Sequence, residues 1–281
     1  MPAQMLDGKA LSEKLIDSVK EKASRLKPTL AVILVGEDPA SLTYIKNKKL
    51  ACERAGIRYV EYRYPATMTQ QELLEKIESV NQDRGVNGLI VQLPLPSHIS
   101  VPLVIRSIDP RKDVDGFHAY NLGKMFLSPE FEDLPPATSL GIVKLLDAYD
   151  IPIQGQEVVV VGASNIVGKP ISLMMLNRNA TVTTCHIFTR DLKAHTKNAD
   201  ILIVAVGKPN LITADMVKKG VVVVDVGITR LADGKLCGDV DTKAVSKKAA
   251  FITPVPGGVG PMTVAALILN TIRATERQLN P

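Results

Sequence analysis

Short extended runs, most of them apolar and β-branched, recur along this chain, and nearly every gap between them is long enough for a helix. They fall at residues 30–35, 57–63, 88–93, 157–161, 181–185, 200–206 and 221–226. A run that is apolar throughout, such as 30–35 (LAVILV), suits a strand buried on both faces. Strands of this kind separated by helices predict an α/β fold on parallel, doubly wound sheet with right-handed crossovers.

The punctuation agrees with that pattern. Leu11, Leu15, Val19 and Leu26, with Ile16 and Ala23 alongside, form one apolar stripe at helical spacing. Asp38-Pro39 offers an N-cap and a first-turn proline to a helix reaching about Ala55, which Gly56 stops. Thr69 and Glu72 make a capping box ahead of Leu73, Leu74, Ile77 and Val80. Pro94-Leu95-Pro96 ends the run at 88–93. Further helices are expected near 138–149 and from Pro261 to about Gln278. Residues 120–136, with Pro129, Pro135 and Pro136 and little periodicity, break the rhythm and read as an interdomain connection. A chain of 281 residues suits two domains. The break places them at residues 1–120 and 121–261, with the C-terminal helix, about 262–281, packing back on the first.

Composition narrows the partners. Lys and Arg alternate with Asp and Glu, so the net charge of +5 gathers into no dense basic run, and the chain has no Trp. Nucleic acid is therefore not an expected partner. Cys52, Cys185 and Cys237 are scattered and form no CxxC pair, which argues for a reducing compartment and against a disulfide framework or a metal site. Residues 1–7 show no charged-then-apolar leader, and no apolar run approaches a membrane span. A cytoplasmic protein with no membrane partner is expected.

The residues after 157–161 carry the first chemical signal. Gly162-Ala163-Ser164-Asn165-Ile166-Val167-Gly168 joins a strand to a helix start, where free N–H groups and the helix dipole suit a pyrophosphate. Its G-x-S-x-x-x-G spacing matches the dinucleotide fingerprint only in part, and a plain glycine turn reads the same way. The following strand runs into His186-Ile187-Phe188-Thr189-Arg190 with no acid before Asp191, so Arg190, with His186 or Lys193, could meet a 2′-phosphate. That favours NADP over NAD, although a helix-start arginine in solvent looks alike. Gly207 and Ile228 follow two later strands, in loops that would admit a nicotinamide ribose or simply turn tightly.

In the first half, Ser41, Tyr44 and Lys48 share one helix face, Gln92 ends a strand, and Asp113 and Asp115 sit in one turn. A Tyr/Lys pair at this spacing is also what a solvated surface shows. The motifs occur in a fixed order: Ser41-x-x-Tyr44-x-x-x-Lys48, Gln92-Leu93-Pro94-Leu95-Pro96, Lys112-Asp113-Val114-Asp115-Gly116-Phe117, the glycine loop, Asp225-Val226-Gly227, Gly238-Asp239-Val240, and a ten-residue stretch from Pro254 to Thr263 (PVPGGVGPMT). Over essentially the whole chain this resembles the bifunctional methylenetetrahydrofolate dehydrogenase/cyclohydrolase family.

The resemblance implies an N-terminal α/β catalytic domain, a Rossmann-like NAD(P)-binding domain, folate in a cleft between them, and a homodimer. It implies hydride transfer from 5,10-methylene-tetrahydrofolate to NADP, then hydrolysis of the methenyl product to 10-formyl-tetrahydrofolate. Lys48, Tyr44 and Gln92 would be catalytic, with Lys48 kept neutral, and so free to act as general base, by an apolar setting and a cationic substrate. Ser41, Tyr44, Asp115, Gly257, Gly258 and Val259 would bind the folate. Gly162, Ala163, Ser164, Ile166, Val167, Gly168, His186, Arg190, Gly207 and Ile228 would hold the cofactor. Two departures matter: Ala163 stands where many members have Arg, which leaves NADP more dependent on Arg190, and Ala137 stands where some have Cys, so no thiol role carries over. A monofunctional dehydrogenase and a non-enzymatic nucleotide-sensing protein remain the alternatives at this level.

Overall fold

Local signals set most elements in the computed structural model, which describes residues 3–279. Met1 and Pro2 of the N-terminal stretch, and Asn280 and Pro281 of the expected final helix, lie outside the described residues. The chain opens with β1 (Gln4–Met5), α1 (Gly8–Ser18) and α2 (Lys20–Leu26). The single stripe expected over 11–26 is thus two helices, broken at Val19, whose ψ of 0° leaves the helical path. Then come β2 (Thr29–Val35), α3 (Pro39–Ala55), β3 (Arg58–Tyr64), α4 (Gln70–Gln82), β4 (Gly88–Val91) and α5 (Val101–Ser107). Asp38 caps α3 by accepting the Ser41 N–H, and Gly56 ends it at φ +77°. Thr69 and Glu72 close both halves of the capping box on α4.

Residues 120–136 are more ordered than their prolines suggest. They carry α6 (Ala119–Met125) and a 3-10 turn at Pro129–Phe131. The helix starts on an unusual cap, the His118 ring accepting the Tyr120 N–H, and is fastened by Asn121 Nδ2 donating to Pro110 O and Asp113 Oδ2. Beyond lie α7 (Ala137–Ala148), β5 (Glu157–Val161), α8 (Gly168–Leu176), β6 (Thr181–Cys185), α9 (Leu192–Thr196), β7 (Ile201–Val204), β8 (Val222–Asp225), the hairpin β9 (Thr229–Arg230) and β10 (Leu236–Cys237), α10 (Thr242–Val245), β11 (Phe251–Ile252) and α11 (Val259–Leu279).

Among the described residues the chain forms two compact units, one of residues 13–137 and 264–279 and the other of residues 3–12 and 138–263. Residues 121–137, expected with the second domain, fall in the first unit, and residues 3–12, expected with the first domain, fall in the second. The reason for the latter is a long-range pairing: β1 lies parallel to β11.

Both units are built on parallel sheet. The first has three strands in the order β3-β2-β4, the second six in the order β1-β11-β8-β7-β5-β6. β2 and β5 play the same part: the chain leaves each, pairs its next long strand on one side, and returns to pair on the other. This reversal of strand order opens a crevice at the carboxyl ends, where such sheets hold ligands. β2 is buried along its whole length, with Ile33, Leu73, Ile77, Leu89 and Val104 in the core around it. Val159, Leu202, Val204, Val223 and Ile252 do the same in the second unit.

Candidate active site

In the first unit, polar side chains gather where β2 and β4 end. Gln92 N–H donates to Ile33 O at 2.9 Å, extending the ladder one residue beyond β4. Lys48, on α3, donates from Nζ to Gln92 Oε1 at 3.0 Å, and both side chains are buried. Gln92 Nε2 donates to Leu93 O at 2.6 Å, which fixes the amide so that its oxygen faces the lysine. The Leu93–Pro94 peptide is cis. A buried amino group needs its hydrogen bonds met, and this amide accepts one of its N–H donors. Tyr44, a turn before Lys48, is half-buried, and burial raises its phenol above the usual value.

Asp115 is half-buried in the loop after α5. Burial raises its carboxyl, and the Lys48 charge pulls it partly back. Its backbone is pinned on every side. Asp113, fully buried, accepts the Gly116 and His118 N–H groups. Asn270 of α11 donates both Nδ2 protons, to Val114 O at 2.9 Å and Pro135 O at 2.8 Å. Gly116, at φ +76°, lies so close to Pro135 and Pro136 that a β-carbon would overlap their backbone. Ser41 belongs to the scaffold: it is buried, and its hydroxyl is occupied by Asp38 Oδ1 at 3.0 Å and Leu93 O at 3.3 Å. The first unit therefore brings Tyr44, Lys48, Gln92 and Asp115 together, with Ser41 bracing α3 behind them. Asp113 and Asn270 were not read as site residues. Asp113 was visible in its motif, whereas Asn270 lies 156 positions from the carbonyl it holds.

The second unit gathers backbone instead. Gly162 follows β5 at φ +124°, and its N–H donates to Cys185 O at 2.9 Å, so the glycine loop starts beside the end of β6. A β-carbon at Gly162 would overlap Ala205 O, and one at Gly168 would overlap Gly162 O. Ser164 Oγ accepts the Val167 and Gly168 N–H groups at 3.2 and 3.3 Å, holding the loop against α8. Ser164 and Ile166 are exposed, and Ala163 and Val167 partly so. Arg190 is exposed and has no ion-pair partner among the described residues. Asp191, the nearest acid after β6, is committed to capping α9 through the Ala194 N–H. Lys193 is engaged by Asp215. His186 is exposed, its Nδ1 accepting the Phe188 N–H at 3.2 Å.

Gly207 and Ile228 are exposed beyond β7 and β8. Gly257 follows β11 at φ +106°, after the cis Val255–Pro256 peptide, and its carbonyl accepts the Lys9 N–H at 2.9 Å. Gly258 and Val259 are buried. These three expected folate-binding residues thus belong to the second unit, apart in the chain from the lysine cluster. Among the described residues no group of His, Cys, Asp and Glu is arranged to hold a metal ion, and no helix is long and apolar enough to cross a membrane.

A glycine loop at the reversal point of a six-stranded parallel sheet in one unit, and a buried Lys–Gln pair in the other, define a two-unit α/β protein with an NAD(P)-type nucleotide site. Residues 136–279 match the model of the tetrahydrofolate dehydrogenase/cyclohydrolase NAD(P)-binding domain, and residues 6–115 that of the catalytic domain. The chain belongs to the tetrahydrofolate dehydrogenase/cyclohydrolase family. The bifunctional protein FolD of Nautilia profundicola is 54% identical over 277 residues, 97% of each chain. The crystal structure of the bifunctional FolD methylenetetrahydrofolate dehydrogenase/cyclohydrolase from Campylobacter jejuni is 51% identical, superposes with a TM-score of 0.94, and matches over 98% of this chain and 99% of that one. The Trypanosoma brucei enzyme, solved with NADP and an inhibitor, is 33% identical with a TM-score of 0.96 over 100% of both chains.

Proposed function

We infer that this protein oxidises 5,10-methylene-tetrahydrofolate to the 5,10-methenyl cation with NADP and hydrolyses that cation to 10-formyl-tetrahydrofolate. The observation that carries the reading is the buried Lys48–Gln92 pair at 3.0 Å beside Asp115, in the part of the chain matching the family's catalytic domain.

The residues present fit the cofactor. The glycine loop has no room for side chains at Gly162 and Gly168, and the start of α8 is held by a neutral hydroxyl, that of Ser164, and not by a carboxylate that would repel an anion. Arg190 supplies an uncommitted cation for a 2′-phosphate. Bound NADP accepts the hydride from the methylene carbon. The protein's share in that step is orientation: Asp115 accepts hydrogen bonds from the pterin N–H groups, and Tyr44 lies along the folate. Gly257, Gly258 and Val259 contribute backbone contacts to the folate, and Gly207 and Ile228 border the nicotinamide ribose.

In the second step, water adds to the methenyl carbon and the bond from that carbon to one ring nitrogen breaks. The attacking water loses one proton as it adds, and its hydroxyl loses another as the carbonyl forms; the leaving nitrogen gains one, and the other is released to solvent. Lys48 takes the water's proton and returns one to the nitrogen, its aim fixed by Gln92. Water addition discharges the methenyl cation, so the proton reaches Lys48 as the positive charge beside it is lost.

The proposed setting is the cytoplasm, supported by three cysteines that all remain thiols. The proposed assembly is a homodimer, supported by β6, which pairs with β5 on one side and with no other strand among the described residues.

A continuous absorbance assay with 5,10-methylene-tetrahydrofolate and NADP, following NADPH and methenyl separately, tests the reading. NADPH forming while methenyl stays low and 10-formyl product accumulates is the expected result. Stoichiometric methenyl would leave a dehydrogenase alone, and no NADPH with either NADP or NAD would overturn the reading.

A further inference from the structure

Two fully buried carboxylates of the second unit take no part in that chemistry. Asp225, the last residue of β8, accepts the Gly227 and Asp239 N–H groups on Oδ1 and the Val240 N–H on Oδ2, each at 3.0 Å. Asp239 accepts in turn, on Oδ2, the Val206 N–H at 2.7 Å and the Gly207 N–H at 3.0 Å. Its Oδ1 is sealed from solvent with no donor. The glycines of both motifs exist to admit these groups: a β-carbon at Gly227 would fall on the Asp239 carboxyl, and one at Gly238 on the Asp225 carboxyl.

Leaving a buried acceptor without a donor destabilises the fold, and setting two carboxylates close together adds to the cost. Folding alone offers cheaper ways to close two loops. What this arrangement achieves is a relay: the end of β8 holds the 238–240 turn, and that turn holds residues 206–207 after β7. The relay thereby fixes Val206-Gly207 against Gly227-Ile228, the loops at the carboxyl ends of two adjacent strands.

We infer that Asp239 is a positioning residue for the nicotinamide end of the NADP site, with Asp225 fixing the turn that carries it. This rests on the dinucleotide role proposed above. The carboxylate acts through backbone: it draws two N–H groups inward and holds Gly207 where a bound ribose would meet it.

The test compares Asp239→Ala, Asp239→Asn and wild type by steady-state kinetics and by calorimetric titration of NADP alone. Asp239→Ala is expected to raise KM for NADP and its Kd about tenfold, while KM for the folate moves less than about twofold. Asp239→Asn keeps an acceptor for the Val206 and Gly207 N–H groups and is expected to recover most of the loss. Where Asp239→Ala fails to fold, Gly227→Ala, which forces the carboxyl from its seat without removing it, is read the same way. Unchanged NADP affinity in the variants, or an equal loss of folate and NADP affinity, overturns the inference. Wild type that binds NADP but oxidises no folate overturns the proposed function instead, and the titration still decides the role of Asp239.

Discussion

β2 and β5 occupy the same topological place in their sheets, yet the chain beyond them is equipped for opposite tasks. After β2, Asp38 puts a carboxylate on the Ser41 N–H in the first turn of α3, so that helix start is closed to an anion, and the chemistry passes to side chains: Lys48, Gln92 and, from a later loop, Asp115. After β5, the corresponding turn is glycine and small residues, held by the Ser164 hydroxyl, and recognition falls to backbone. The comparison teaches that the reversal of strand order supplies only a crevice. What stands at the helix cap decides whether that crevice binds phosphate or hosts proton transfer.

Loading the backbone site with a side chain should break the comparison most visibly. Gly168→Ala drives a β-carbon into Gly162 O, an overlap of the kind that costs about 1–3 kcal/mol. NADP affinity is expected to fall by about tenfold to a hundredfold, whereas hydrolysis of supplied methenyl-tetrahydrofolate, whose proton-transfer lysine lies in the first unit, should fall far less. Parallel titration and hydrolysis assays decide it, and equal losses would mean that the two sites are not separable in this way.

Asp225, together with its neighbour Asp239, is the exception that sharpens the contrast, a buried carboxylate in the unit that otherwise works through backbone. Burial pushes its carboxyl up from 3.8 to about 6, against three N–H donors that lower it and with the neighbouring Asp239 charge adding to the rise. The folded chain therefore keeps a proton that the unfolded chain has released. Its contribution to stability is full below about pH 4 and is lost as pH rises through about 6, on the order of 2–3 kcal/mol. Urea unfolding at several pH values should show wild type losing that much stability relative to Asp225→Asn between pH 4 and 7. A difference that stays flat with pH would contradict the assignment.

The smallest expected effect is at Arg190. Arg190→Ala should weaken NADP about tenfold and NAD little, as removal of one cation from a phosphate predicts. Titration with both nucleotides checks it, and equal weakening would remove Arg190 from the 2′-phosphate site.

Much of this was legible in sequence because it is local. The Asp38 cap, the Gly56 stop and the Thr69–Glu72 box each depend on residues within a turn or two, and β2, β4, β5, β7 and β8 announce themselves as buried apolar runs. β1 and β11 are two residues each and pair across the length of the chain, so no window of sequence contains them. α6 hid behind prolines because its cap is a histidine ring and its anchor, Asn121, bonds outward to Asp113. In the candidate site, Lys48 and Gln92 were readable as motif members, but their hydrogen bond joins residues 44 positions apart. The Asp225–Asp239 relay gave no local signal beyond two short motifs whose glycines make sense only once the carboxylates are seen against them.

The central claim is that Lys48 carries the hydrolytic step while the glycine loop serves the oxidation. Lys48→Met, assayed separately for hydrolysis of methenyl-tetrahydrofolate and for NADPH formation from the methylene substrate, tests it most directly. The account predicts that hydrolysis falls by about 10²–10⁴, while NADPH formation survives in part and methenyl accumulates. Hydrolysis retained near the wild-type rate would contradict it.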